Sequence, residues 1–103
     1  MFKLRAIKSD ETYAIVAYDD SIQEHYFLND GDARGFATHI SWVLAEKGNS
    51  FWVGTSYGVE KPESSKGIYA VTFRVTDGFA KSYILNKRKL TELKNSLMGV
   101  LNG

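Results

Sequence analysis

The sequence predicts an α+β fold: tandem β-β-β-α repeats forming a six-stranded, mainly antiparallel sheet, or two facing sheets, with two helices related by a pseudo-twofold axis. Three observations carry this. First, Asp20, Tyr26, Leu28, Asn29, Val43 and Leu44 recur 57 residues later as Asp77, Tyr83, Leu85, Asn86, Val100 and Leu101, six identities in 25 aligned positions. Chance gives roughly one or two, and an internal repeat dictates the fold. Second, each half opens with alternating or β-branched runs and closes with a helical apolar stripe. Third, a helix-capping asparagine, Asn29 or Asn86, stands where the pattern changes.

In the first half, Phe2, Leu4 and Ala6 alternate with Lys3, Arg5 and Ile7, which is strand period. Tyr13 to Tyr18 is an aromatic and β-branched run, Asp19-Asp20-Ser21 turns the chain, and Ile22 to Leu28 returns. Asn29 or Asp30 caps a helix whose Phe36, Ile40, Val43 and Leu44 share one face. Gly48 is read as its left-handed stop. In the second half, Phe51 and Val53 are aligned with Phe2 and Leu4, and residues 58–65 are read as an enlarged loop. Tyr69-Ala70-Val71 matches Tyr13-Ala14-Ile15, and Asp77-Gly78 marks a hairpin tip. Phe79 to Leu85 is the last strand, and Asn86 caps a helix carrying Leu90, Leu93, Leu97 and Leu101. Trp42 on the first helix corresponds to Gly99 on the second. A mid-helix glycine costs about 1 kcal/mol against alanine, so Gly99 is expected to make room for Trp42 or for a similarly bulky neighbour.

At 103 residues the chain is expected to be one domain, 1–103, with repeat halves 1–49 and 50–103. Neither half buries enough apolar surface to stand alone. The absence of cysteine excludes a disulfide framework, a thiol nucleophile and cysteine-based zinc. The opening Met1-Phe2-Lys3-Leu4-Arg5 lacks the apolar run of a secretory signal, and no stretch has the length of a membrane span. A cytoplasmic protein without membrane partners is expected. Charge is uneven: residues 1–49 hold five Lys/Arg against eight Asp/Glu, residues 50–103 eight against four.

Nothing in the sequence points to an enzyme. His25 and His39 lack partners at ligand spacing. Asn29-Asp30-Gly31-Asp32 resembles a calcium loop only until the position of the bidentate glutamate, which is Ser41. No catalytic residue, metal or cofactor is expected. Period two instead sends Lys3, Arg5, Trp52 and Arg74 to the sheet face opposite Phe2, Leu4, Phe51, Val53, Tyr69, Val71, Phe73 and Val75, with Thr72 and Tyr18 joining them. A basic face with exposed aromatics suits single-stranded nucleic acid, a protein hot spot, or plain solvation. Lys87-Arg88-Lys89 puts three cations into the first turn of the second helix, against its dipole. That arrangement attracts a phosphate or an acidic surface, or is simply a solvated turn.

The run Ile84-Leu85-Asn86-Lys87-Arg88-Lys89-Leu90-Thr91-Glu92-Leu93-Lys94, with the strands before it, resembles the strand-to-helix junction of the positive-cofactor-four, Whirly and Pur-alpha superfamily. That resemblance implies a curved sheet of paired β-rich repeats, each closed by a helix, binding single-stranded DNA or RNA. It also implies a single-chain pseudo-dimer with Lys3, Arg5, Trp52, Arg74 and Lys81 as nucleic-acid contacts. The family repeat has four strands where three are read here. The expected function is a non-enzymatic binding module for single-stranded nucleic acid, as a monomeric pseudo-dimer or homodimer. The alternative is a small inhibitor, of the phage or mobile-element kind, of a host protein such as a defence nuclease.

Overall fold

The computed structural model describes residues 2–54, 56–62, 66–76 and 79–103, leaving aside the side chains of Val75 and Thr76. The expected hairpin tip Asp77-Gly78 and the inward Val75 side chain lie outside that description. The element order is β1 (Lys3–Ser9), β2 (Thr12–Tyr18), β3 (Gln23–Leu28), α1 (Asp30–Leu44), β4 (Ser50–Val53), β5 (Tyr57–Glu60), β6 (Ile68–Thr76), β7 (Phe79–Asn86) and α2 (Lys87–Asn102). The fold is α+β with two helices, and of the two arrangements expected it has two sheets, antiparallel β1-β2-β3 and β4-β5-β6-β7, with seven strands among the described residues in place of six.

The extra strand is β5, which falls in the segment read as loop. Gly58 disguises it, because glycine is depleted from strands. Here the glycine has a steric reason: a Cβ would sit 2.5 Å from the Trp52 ring of the neighbouring strand. β5 stands beside β6 as β1 stands beside β2. β4 lies beyond β5 at the sheet edge.

Asn29 and Asn86 cap the two helices with nearly the same backbone angles, each side chain accepting from the amide three residues on. The stop of α1 is not Gly48. Glu46 adopts the left-handed conformation at φ 58, its amide donating to the Val43 carbonyl and that of Lys47 to the Trp42 carbonyl. This is a Schellman termination with glutamate in the glycine position. Gly48 is small for a different reason, since a Cβ there would meet the Phe51 ring at 2.5 Å.

The two helices run antiparallel and exchange sheets. α1 packs chiefly on β4 and β5, whereas α2 packs chiefly on β1. The Ser96 hydroxyl of α2 accepts from the Ala6 amide at 2.8 Å and donates to its carbonyl at 3.2 Å, closing the outer edge of β1. The sheets meet through Tyr26 and Tyr83, whose hydroxyls share a hydrogen bond, and through the ion pair Lys81–Glu24 at 3.3 Å. Each of these contacts joins residues 57 apart. Tyr26 also stacks flat on Phe73, centroids 4.3 Å apart. Leu4, Tyr69, Val71 and Phe73 are buried as expected, and Phe2, Phe51 and Val53 pack against the same core at its margin.

Gly99 is exposed, and a Cβ built on it meets nothing within 4 Å. Trp42 packs elsewhere, against His39 and Phe51, so the idea that Gly99 makes room for it is withdrawn. Gly99→Ala is expected to stabilise the protein by about 0.5–1 kcal/mol through helix propensity alone. A melting temperature unchanged or lowered in thermal denaturation would contradict this.

Candidate nucleic-acid interface

The side chains facing away from the helices form rows across the strands. In the first sheet the rows are Lys3–Tyr18–Gln23, Arg5–Val16–His25 and Ile7–Ala14–Phe27. Ala14 and Val16 are fully buried although they lie on this outer face, because the longer side chains on either side close over them. That explains why β2 reads as an unbroken apolar run. Arg5 lies 5.5 Å above the Tyr18 ring, a cation–π contact.

α2 crosses β1 with its N-terminal turn beside Lys3 and Arg5. Two adjoining clefts result. One is lined by Lys3, Arg5, Tyr18, Lys89 and Glu92; the other by Lys3, Asn86, Arg88, Lys89 and Glu92. Four of the expected site residues, Lys3, Arg5, Arg88 and Lys89, are thus gathered at one corner from the two ends of the chain. Arg88 also pairs with Glu92 one helical turn on, at 3.4 Å. Lys87 looks another way, towards the end of α1. There the Glu46 carboxyl is held below its ordinary value, first by its hydrogen bond to Lys61 and that residue's charge, then weakly by Lys87.

The remaining expected residues are spread over the second sheet. Trp52 is half-buried, its ring laid over Gly58. Arg74 is exposed on the same face, two residues along β6 from Thr72, which is bonded to the Ser82 hydroxyl at 2.8 Å. Lys81 lies on the opposite face parity, with Tyr83 and Leu85, where it pairs with Glu24.

A third cleft opens at the seam between the sheets, lined by His25, Tyr26 and Phe27 from β3, Tyr57 from β5 and Arg74 from β6. The Tyr57 hydroxyl donates to the Phe27 carbonyl at 2.6 Å and locks the seam. Burial raises the Tyr57 pKa, which keeps that proton in place at any working pH. His25 and Phe27 stack with centroids 6.2 Å apart. Neither was singled out from sequence as a contact; the signal available was their shared parity with Arg5 and Ile7 across the hairpin.

His39 belongs to packing. Its ring lies against Trp42 and Phe51, its Nδ1 is buried without a hydrogen-bond partner among the described residues, and burial lowers its pKa. The unfolded chain therefore binds a proton more readily than the folded one, so this contribution to stability is complete above about pH 6.5 and is lost as pH falls below it. Denaturation at pH 7.5, 6 and 5 is expected to show a steeper loss for the wild type than for His39→Phe. Parallel pH profiles would contradict the assignment.

No helix among the described residues is long and apolar enough to cross a membrane. No protein-family model, curated protein or solved structure matches the chain.

Proposed function

We propose that the chain is a single-chain pseudo-dimer of two β-rich repeats that binds single-stranded nucleic acid across the outer faces of its sheets. The observation that carries the reading is the convergence of Lys3 and Arg5 with Arg88 and Lys89 around adjoining clefts at one end of an aromatic-bearing sheet face. From that corner a strand lying across β1, β2 and β3 passes Tyr18 and His25 over roughly 10 Å, two strand spacings, and reaches Arg74 at the seam. Cations for phosphates interleaved with aromatic rings for bases are what a single-strand groove requires. The symmetry part rests on the two matched helix caps and on the contacts Tyr26–Tyr83 and Glu24–Lys81. Each contact pairs a position with its own counterpart in the repeat, as happens beside a twofold axis.

Binding of a labelled oligonucleotide, followed by fluorescence anisotropy, tests the reading. With three or four phosphates neutralised, log affinity is expected to fall with log salt at a slope of about −2 to −3. That is a loss of roughly 20- to 50-fold between about 50 and 200 mM salt. The double variant Lys3→Ala/Arg5→Ala is expected to make the slope shallower by about 1.4. No salt-sensitive binding at low ionic strength would sink the reading.

A protein partner is the second reading. It is favoured by the exposed apolar side chains Ile22, Phe27, Phe79 and Ile84, two in each half at matching positions of the repeat. A stoichiometric protein complex that survives nuclease treatment would favour it.

A further inference from the structure

We propose that the cleft at the seam between the two sheets holds one nucleobase of the bound strand, with Phe27 and Arg74 as its contacts. This rests on the nucleic-acid reading above and deepens it, because it separates the place where a base is gripped from the corner where phosphates are neutralised.

The argument is one of availability. Among the aromatic rings on the outer faces, Trp52 is laid over Gly58 and Tyr18 lies under the Arg5 guanidinium. Neither offers an open ring face comparable to that of Phe27, which is 58% exposed. Phe79 is more exposed still, but it occupies the other face parity of β7, with Lys81 and Tyr83. Phe27 is also held rather than loose. Its ring stacks on His25, and its backbone carbonyl accepts the Tyr57 hydroxyl. The cleft beside it has a volume of about 220 Å³, more than the ~150 Å³ cavity known to take a benzene ring. Arg74 on its wall supplies a planar cation that stacks on an aromatic ligand and attracts the adjoining phosphate. A flat, π-rich group linked to an anion fits this lining, and a nucleotide within a strand is such a group.

The second half lacks an equivalent. The repeat partners of His25 and Phe27 are Ser82 and Ile84, so only the first half brings stacked rings to its edge strand. The grip is therefore single, and it lies where the two copies differ.

The test uses the full chain with two fluorescent probes of about 12 nucleotides, within the site size of single-strand binders. One is an oligothymidylate; the other is an abasic backbone of the same length. The wild type is expected to bind the oligothymidylate more tightly than the abasic backbone. Phe27→Ala is expected to weaken oligothymidylate binding roughly 5- to 150-fold, leaving abasic binding and the salt slope unchanged. Lys3→Ala/Arg5→Ala is expected to do the reverse, lowering the slope and sparing the preference for bases. Phe27→Leu keeps the apolar cover over Ala14 and guards against a folding artefact; it is expected to lose the preference as Phe27→Ala does. The proposal is overturned if the wild type binds both probes equally, or if Phe27→Ala and Phe27→Leu keep its preference. Failure of the wild type to bind either probe overturns the nucleic-acid reading and this proposal with it. Binding that ignores Phe27 overturns this proposal alone.

Discussion

Produced separately, residues 1–49 and residues 50–103 are each expected to show no cooperative unfolding transition, and an equimolar mixture is expected to regain one. The reason is the exchange of helices. In the first half, Leu4 and Ala6 of β1 are buried under α2, and Phe36 and Ile40 of α1 are buried against β4 and β5. Cutting the chain strips the cover from both sides of both halves at once. The cut also opens the Tyr26–Tyr83 hydrogen bond that ties the two halves together. A piece of about 50 residues buries too small a fraction of its surface to offset such losses. Circular dichroism melts of the pieces and of their mixture read the outcome directly. A sigmoidal melt from either piece alone would show that a half folds on its own local contacts.

Phe73→Ala is expected to cost about 3–5 kcal/mol, a large share of the 5–15 kcal/mol typical of a domain. Phe73 is fully buried, and its ring is enclosed by those of Tyr26, Phe36, Tyr57 and Tyr83 at centroid distances of 4.3 to 6.1 Å. The cavity cannot readily collapse. Tyr26 and Tyr83 are held by each other's hydroxyls, and Tyr57 by the Phe27 carbonyl. Residual cavity is what separates costly truncations from mild ones. Phe27→Ala makes the contrast, since an exposed ring with few core contacts is expected to shift stability by about 0.5 kcal/mol or less. Urea denaturation of both variants gives the comparison, and equal midpoints would contradict the packing account.

Local chemistry was legible in the sequence where one residue suffices to express it. Asn29 and Asn86 cap because a short side-chain acceptor at a strand-to-helix junction has few other uses. The buried sets on β1, β6 and both helices follow from periodicity. What escaped depends on partners. Gly58 reads as loop because the Trp52 ring that requires it is on another strand. Glu46 in the left-handed region has no sequence signal, and Gly48, two residues on, drew the assignment. Which sheet each helix covers was not legible either, since the apolar stripes of α1 and α2 suit both. That choice decides the candidate site. Lys3 and Arg5 were grouped with Trp52 and Arg74, and Arg88 and Lys89 were set apart. The passage of α2 across β1 brings Lys3 and Arg5 together with Arg88 and Lys89.

The Ser96–Ala6 contact spans 90 residues of chain, and it has a consequence for biosynthesis. β1 is covered by a helix that is made about 90 residues later. At about 5–20 residues per second, Leu4 and Ala6 wait roughly 5–20 s, the synthesis time of the 90 residues that separate Ala6 from Ser96, before their lid exists. The polar partner that seals the open edge of β1 is equally late. Nascent chains stalled before α2 are thus the form of this protein most exposed to chaperones and to mispairing, and emergence of α2 is the step after which β1 can be closed.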